Sequence, residues 1–274
     1  MPQTSPHPTL TDRAALAAHR ARADDSADFL HEEAMDEIQE RLIDVNRRFT
    51  VPAIVTGHPR IWSDLLPNAR VVADDSVLDL QPGAHDLVIH AMSLHWADDP
   101  VGQLIQCRRA LRPDGLLLVA TLGGETLAEL RAALAEAEAE VSGGLSPRVA
   151  PMGEVRDMGG LLQRAGLALP VADSLPRRVR YRDMFRLMAD LRAMGETNAL
   201  DARHRRTPRR ALFARAAQIY GKAFPDADGI RATFEMIFLT GWAPSADQPK
   251  PLRPGSATAR LADALGVPEQ GSER

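Results

Sequence analysis

At 274 residues the chain has room for one large domain or a domain with appendages. Hydrophobic residues make up 45% and charged residues 26%, but aromatics only 4%, so any core must be aliphatic. A net charge of −4 favours neither nucleic acid nor a membrane surface as a whole-protein partner.

Of the 33 basic residues, only Lys222 and Lys250 are lysines, a bias of composition rather than a binding signal. Cys107 is the single cysteine, which excludes an internal disulfide and any cysteine-cluster metal site and suits a reducing compartment. Met1 to Asp12 has no apolar stretch resembling a secretory signal, and no apolar run approaches membrane-spanning length. The expectation is a cytoplasmic protein with no metal, no nucleic-acid partner and no stable membrane insertion.

Residues 1–10 are rich in Pro, Ser and Thr and read as disordered. An N-terminal helical extension over 11–48 follows, with helices at about 12–22 and 27–48. In the second helix Leu30, Ala34, Ile38, Leu42, Val45 and Phe49 recur at three- and four-residue intervals. Asp25 or Ser26 is placed to cap it. Such a face docks onto the chain's own sheet or serves a partner, and docking is the simpler expectation.

From residue 51 to about 172 strands and helices alternate. Apolar runs without alternation at 51–57, 70–75, 86–96 and 112–121 read as buried parallel strands. Helices fit 58–66, 100–111, 124–141 and 157–165. This order predicts an α/β fold with a Rossmann-like, mostly parallel sheet covered on both faces. A helical cap is expected at about 183–223, broken near Gly195 and Pro208. A closing strand at 232–240 and a short helix near 257–265 lead into a tail, so the main domain spans 49–245 and the tail 246–274.

Ligands of open α/β sheets bind outside the carboxyl ends of the strands. The tips here are Gly57-His58-Pro59, Asp74-Asp75, Ser93 to Trp96 and Leu122 to Glu125. Gly57 is the only glycine of the first tip, and Pro59 has no N–H to offer an anion. Asp74 lies 17 positions after Gly57, near the spacing of a ribose-binding acid in one βαβ unit, although a solvated turn explains it equally well. At the third tip Trp96 is placed to wall a pocket and His95 to transfer a proton, with simple packing as the alternative. Gly123-Gly124-Glu125 opens a helix where backbone donors face the cleft or merely cap. Met194-Gly195-Glu196-Thr197-Asn198 puts another carboxylate and amide where the cap closes. Arg177 to Arg182 and Arg203 to Arg210 read as solvated faces.

These motifs resemble the class I S-adenosylmethionine-dependent methyltransferase superfamily, and within it the branch of the mitochondrial complex I assembly factor 5 and its bacterial relatives. The resemblance is carried by Ser93-Leu-His-Trp-Ala-Asp-Asp99, Leu111-Arg-Pro-Asp-Gly115, Leu122-Gly-Gly-Glu-Thr-Leu127, Gly143-Gly-Leu-Ser-Pro147, Met194-Gly-Glu-Thr-Asn198 and Arg253-Pro-Gly-Ser-Ala257, among others. It implies a reduced methyltransferase fold. S-adenosylmethionine would bind at Gly57, Asp74, Asp75 and Ser93, with His95 and Glu196 catalytic. Trp96, Gly123, Gly124, Glu125 and Asn198 would face a protein substrate or a complex I subunit. The alternative is a non-catalytic assembly factor that kept the fold and lost the cofactor site. Asp86 lies only 29 positions after Gly57, so the interval holds one crossover where the family has two. Asp74 resembles the third-strand acid, which makes the ribose-acid unit the lost one, unless Asp74 has taken over that role.

Overall fold

The four apolar runs form the strands of one sheet, and their neighbours in chain order are helices. In this computed structural model, which describes residues 9–248, α1 (Arg13–Arg20) and a 3-10 turn (Asp25–Ala27) precede α2 (Phe29–Val45). Then come β1 (Pro52–Thr56), α3 (Pro59–Trp62), β2 (Arg70–Val72), β3 (His85–Ala91), α4 (Pro100–Ala110) and β4 (Leu111–Leu122). The remainder is α5 (Ala128–Ser142), α6 (Val155–Arg164), β5 (Ala168–Tyr181), α7 (Met184–Ala193), α8 (Arg210–Ala223), β6 (Pro225–Asp226) and β7 (Gly229–Trp242). The expected disorder of residues 1–8, the helix near 257–265, the Arg253–Ala257 motif and most of the tail lie outside the described residues.

The seven-stranded sheet of the described residues runs β2-β1-β3-β4-β7-β5, with β6 paired to β7. The four strands expected from the apolar runs pair in parallel, and β7 joins antiparallel between β4 and β5. Successive side chains of the parallel strands go to opposite faces. Leu87, Ile89, Leu116 and Leu118 pack with Leu30, Ala34 and Ile38 of α2 and with α5, α7 and α8. Val88, Leu117 and Val119 pack with Leu104 and Cys107 of α4 and Leu162 of α6. Burial on both faces is why these strands carry no polar alternation, and it shows that α2 docks on its own sheet.

Several boundaries differ from expectation for local reasons. α3 stops at Trp62 because the residue before Pro67 is driven out of the helical region. β3 ends at Ala91, and Met92 at φ 46° turns the chain into a 3-10 turn at Leu94–Trp96, so the Ser-Leu-His-Trp tip lies beyond the strand. Residues 124–127 form a turn, and α5 begins only after Leu127 at φ 57°. Neither Asp25 nor Ser26 caps the second helix: both lie in the 3-10 turn, which Asp24 caps by accepting from Ser26 N–H at 3.0 Å, and α2 starts after Asp28 without a side-chain cap. β5 occupies a segment for which the sequence named no strand. Its Pro170, Pro176, Arg177, Arg178 and Arg180 suit an edge strand, which tolerates proline and exposed charge.

The chain from β2 to β3, residues 73–84, contains neither helix nor strand, so of the two crossovers between β1 and β3 only the first, through α3, carries a helix. β2 pairs directly with β1, Ala53 to Arg70 through Val55 to Val72. By position, therefore, Asp74 follows the strand next to β1, and the lost unit is the one that would lie beyond it. The assignment of Asp74 to a third strand is corrected by that pairing. Pro244 closes this compact unit; the described residues after it form a turn from Ser245 to Gln248.

Leu118→Ala, at a site 1% exposed, is expected to cost about 2–5 kcal/mol. Val171→Ala on the exposed β5 edge should stay within about 0.5 kcal/mol. Urea denaturation of both variants checks the contrast.

Candidate functional site

The tips of β1, β3 and β4 converge because their strands are parallel neighbours, and Ser93 joins the first two. Its Oγ donates to Ala91 O at 2.7 Å and accepts from Gly57 N–H at 3.3 Å. The β2 tip is positioned from below. Gln103 of α4 donates to Asp74 O at 3.1 Å and Asp75 O at 3.0 Å, while its Oε1 meets His90 Nε2 at 2.8 Å.

Across these tips lies α1, which the sequence presented only as an extension. Asp12 caps it, accepting from Ala15 N–H at 3.0 Å, and is held well below the ordinary carboxylate range by that bond and by Arg203 and Arg205. The preceding residues are strapped down. Thr11 Oγ1 donates to Trp96 O at 2.8 Å, and Leu10 and Thr11 N–H both donate to Asp98 Oδ1. Asp12 N–H donates to Ala199 O at 2.8 Å.

α1 thereby delivers Arg20 to the Gly57–Asp74 edge. Arg20 Nη1 donates to both oxygens of Asp74, at 2.8 and 3.0 Å, and Arg13 Nη2 donates to Asp74 O at 2.8 Å. The Arg20 guanidinium lies so close over Gly57 that a Cβ there would sit 1.9 Å from Nη1. Gly195, at φ 77°, completes the fit, since a Cβ on it would lie 3.0 Å from Arg20 Cα. Burial would raise the Asp74 carboxyl, but Arg20 and Arg13 outweigh it and hold it below its ordinary value. Asp75, beside it, is 71% exposed. Arg13, Arg20, Gly57, Asp74 and Asp75 line one cavity of about 490 Å³.

A second cavity of about 280 Å³ lies toward α5 and α7. Met92, Met152, Met188, Met194 and neighbouring leucines give it an adaptable apolar wall, and His95, Trp96, Glu196 and Asn198 supply its polar groups. Glu196 Oε2 accepts from Trp96 Nε1 at 2.6 Å and pairs with His95 Nε2 at 3.1 Å, while His58 Nε2 lies 3.6 Å from Oε1. His95 Nδ1 is 3.3 Å from Thr121 Oγ1. Burial would push the Glu196 carboxyl up, but the paired His95, the nearby His58 and Arg20 hold it well below its ordinary value. Asn198 bridges Pro147 O and Leu200 N–H, which fixes the loop that presents Glu196.

His31 of α2 backs this cluster, its ring centroid 4.6 Å from that of His58. Its Nδ1 accepts from Trp62 Nε1 at 3.0 Å, and burial, then the nearby His58, lowers its pKa to about 3. Among the described residues, no group of three or more His, Cys, Asp or Glu is placed to hold a metal ion.

Gly123, Gly124 and Glu125 sit against β7. Gly123 N–H donates to Glu235 O at 2.7 Å and Glu125 N–H to Glu235 Oε2 at 2.9 Å. Their flanking residues Leu122 and Thr126 line the apolar cavity instead. Sequence reasoning missed Arg13, Arg20, His31 and Gln103. The one signal for the arginines was their seven-residue separation, which puts both on one helix face.

Chemically, one side offers buried donors and carboxylates at a sheet edge. The other offers an apolar slot ending in a carboxylate-backed imidazole. The methyltransferase-domain family profile matches residues 56–119. The chain is 34% identical to the arginine-hydroxylase NDUFAF5, mitochondrial, of Danio rerio over 90% of this chain and 85% of that protein. To the Homo sapiens protein of the same name it is 38% identical, over 72% of this chain and 57% of that one. The malonyl-[acyl-carrier protein] O-methyltransferase of Laribacter hongkongensis is 35% identical over 65% of this chain and 58% of that protein. The match thus spans most of the zebrafish relative and under two thirds of the other two.

Glu196→Ala leaves the His95 and Trp96 donors without their acceptor and should cost roughly 1–3 kcal/mol in chemical denaturation. His31 yields a pH signature. Folded, it stays neutral down to about 3, whereas unfolded it titrates near 6.5. Below 6.5 the unfolded state binds the extra proton, so stability falls as pH drops toward 3. His31→Gln, which keeps an acceptor for Trp62, should flatten that part of the curve.

Proposed function

Because the chain belongs to the NDUFAF5 branch of the class I S-adenosylmethionine-dependent methyltransferase superfamily, we propose that it binds S-adenosylmethionine at the Gly57–Asp74 edge. On this reading it acts on a side chain of a protein substrate linked to respiratory complex I assembly. The observation that carries the reading is the presence of two cavities, one at the strand tips with Gly57 and Asp74 and one ending at His95 and Glu196.

The chain's residues fit the cofactor in chemical kind. Arg20 brings buried guanidinium donors and Asp75 an exposed carboxylate to one cavity wall, and Ser93 fixes the Gly57 tip. Bound there, S-adenosylmethionine supplies an electrophilic methyl group on a sulfonium. The protein's own work is positioning and proton handling. Glu196 accepts from His95 Nε2–H, which leaves the lone pair on Nδ1 as the proton acceptor, with the Thr121 hydroxyl as its resting partner. Trp96 walls the slot, and Asn198 holds the Glu196 loop. The methionine and leucine wall suits the aliphatic stem of a long side chain, and arginine agrees with the relatives' name.

That name also raises hydroxylation as the reaction. The mass added to an arginine-bearing substrate, one methylene or one oxygen, decides between them. The compartment we infer is the one in which the respiratory complex is assembled. The relatives are named as mitochondrial, which does not carry over the cytoplasmic expectation. No helix of the described residues is long and apolar enough to cross a membrane.

A second reading has its own observation. Asp74, the candidate ribose acid, is already held by Arg20 and Arg13, which favours a non-catalytic assembly factor. A calorimetric and thermal-shift titration separates the two. S-adenosylmethionine at 100 times its Kd should add about 2.7 kcal/mol of stability. Absence of any shift at millimolar ligand, with substrate-protein binding retained, would establish the second reading. If the first holds, His95→Gln should bind cofactor normally and lose roughly 10²–10⁴ in turnover.

A further inference from the structure

Arg20 uses only part of its guanidinium. Nη1 serves both oxygens of Asp74, whereas Nε and Nη2 are buried and have no hydrogen-bond partner in the protein. The side chain is only 9% exposed and lines the cavity with Gly57 and Asp75. Buried guanidinium donors without acceptors are rare and call for one. Nε–H and Nη2–H form the edge of the fork that matches a carboxylate with two parallel bonds.

The β1 tip lacks the donors that such an edge would replace. Gly57 is its one glycine, the Gly57 N–H already donates to Ser93, and Pro59 has none. Asp74 and Gln103 hold the fork in place from the other side: Asp74 grips Nη1, and Gln103 fixes the backbone of the Asp74-Asp75 tip. Gly57 leaves the room that the guanidinium occupies, and Gly195 the room that α1 needs at Arg20 Cα.

We propose that Arg20, delivered by α1, is the carboxylate-binding residue of this cavity and takes the α-carboxylate of an amino-acid-bearing nucleoside in place of a glycine-rich loop. The proposal rests on the cofactor reading above and adds to it the residue that grips the amino-acid end. It also gives the Arg20–Asp74 pair a role other than blockade. Asp74 orients the fork and leaves Nε and Nη2 for the ligand.

The test is calorimetric binding of two probes to the full chain: S-adenosylhomocysteine, which carries the carboxylate, and 5′-methylthioadenosine, which lacks the amino-acid part. Arg20→Met should weaken S-adenosylhomocysteine by roughly ten- to hundredfold, the worth of charged hydrogen bonds. It should leave 5′-methylthioadenosine unchanged. Arg20→Lys keeps the charge without the fork and should lose less, again for the first probe alone. Should Arg20→Met fail the circular-dichroism check for folding, the lysine variant decides by the same comparison.

Equal affinities in wild type and variants for both probes overturn the proposal and leave the cofactor reading standing. A gain of affinity on removing Arg20 overturns it in favour of a plug. Wild type that binds neither probe sinks the cofactor reading and the proposal together.

Discussion

The ion pair between Arg20 and Asp74 is the constraint around which this end of the molecule is arranged. Both groups are largely buried, and a buried charge that loses its partner costs several kcal/mol. α1 must therefore lie across the strand tips, and its path dictates the rest. Gly57 has no room for a side chain because the guanidinium rests on it, and Gly195 none because α1 passes over it. Arg13 shares the same carboxylate, and Asp12 ties the helix start to Arg203 and Arg205. The edge that would hold a cofactor is thus made jointly by strand tips and an N-terminal helix.

Glu196 plays the corresponding part for the other cavity. It brings together His95 and Trp96 from the β3 tip, a hundred residues earlier in the chain, and it lies close to His58 from the β1 tip. A carboxylate held ionised within apolar walls polarises its imidazole neighbours more strongly than it would in water. His31 completes the arrangement as a neutral ring under His58, so the cluster gathers imidazoles without stacking their charges. The Arg20 guanidinium also acts on Glu196, which couples the two halves electrostatically.

The sheet was legible because its physics is local. Strands buried on both faces are continuous apolar runs, and those at 51–57, 86–91 and 112–121 stand out without a structure. The Pro67 effect on α3 was equally readable and was passed over. β5 was hidden by prolines and arginines, which belong on an edge but look like loop. The tips were found because they end strands, and His95, Glu196, Trp96 and Asn198 do meet at one cavity. Gly123 to Glu125 carry a distinctive pattern, yet the N–H groups of Gly123 and Glu125 turn to Glu235. Pairing across long separations was not legible. Nothing in the spacing of Arg20 names Asp74 as its partner, and nothing in His95 names Glu196. The position of β2 beside β1 likewise required the register of the sheet.

Thr11 forms an antiparallel bridge with Leu200, and Asp201 N–H donates back to Leu10 O at 2.9 Å. The first described residues are thus closed onto a loop nearly two hundred positions downstream. On a ribosome, domains take shape from the N-terminus onward as the chain emerges. Here α1 has nothing to settle on until β2, β3 and the 194–201 loop have all been made. The parallel strands can assemble first, whereas the cleft waits for the longest loop closure in the fold. A chain cut between residues 122 and 200 would therefore keep the four parallel strands but lack β7, and would never form the site.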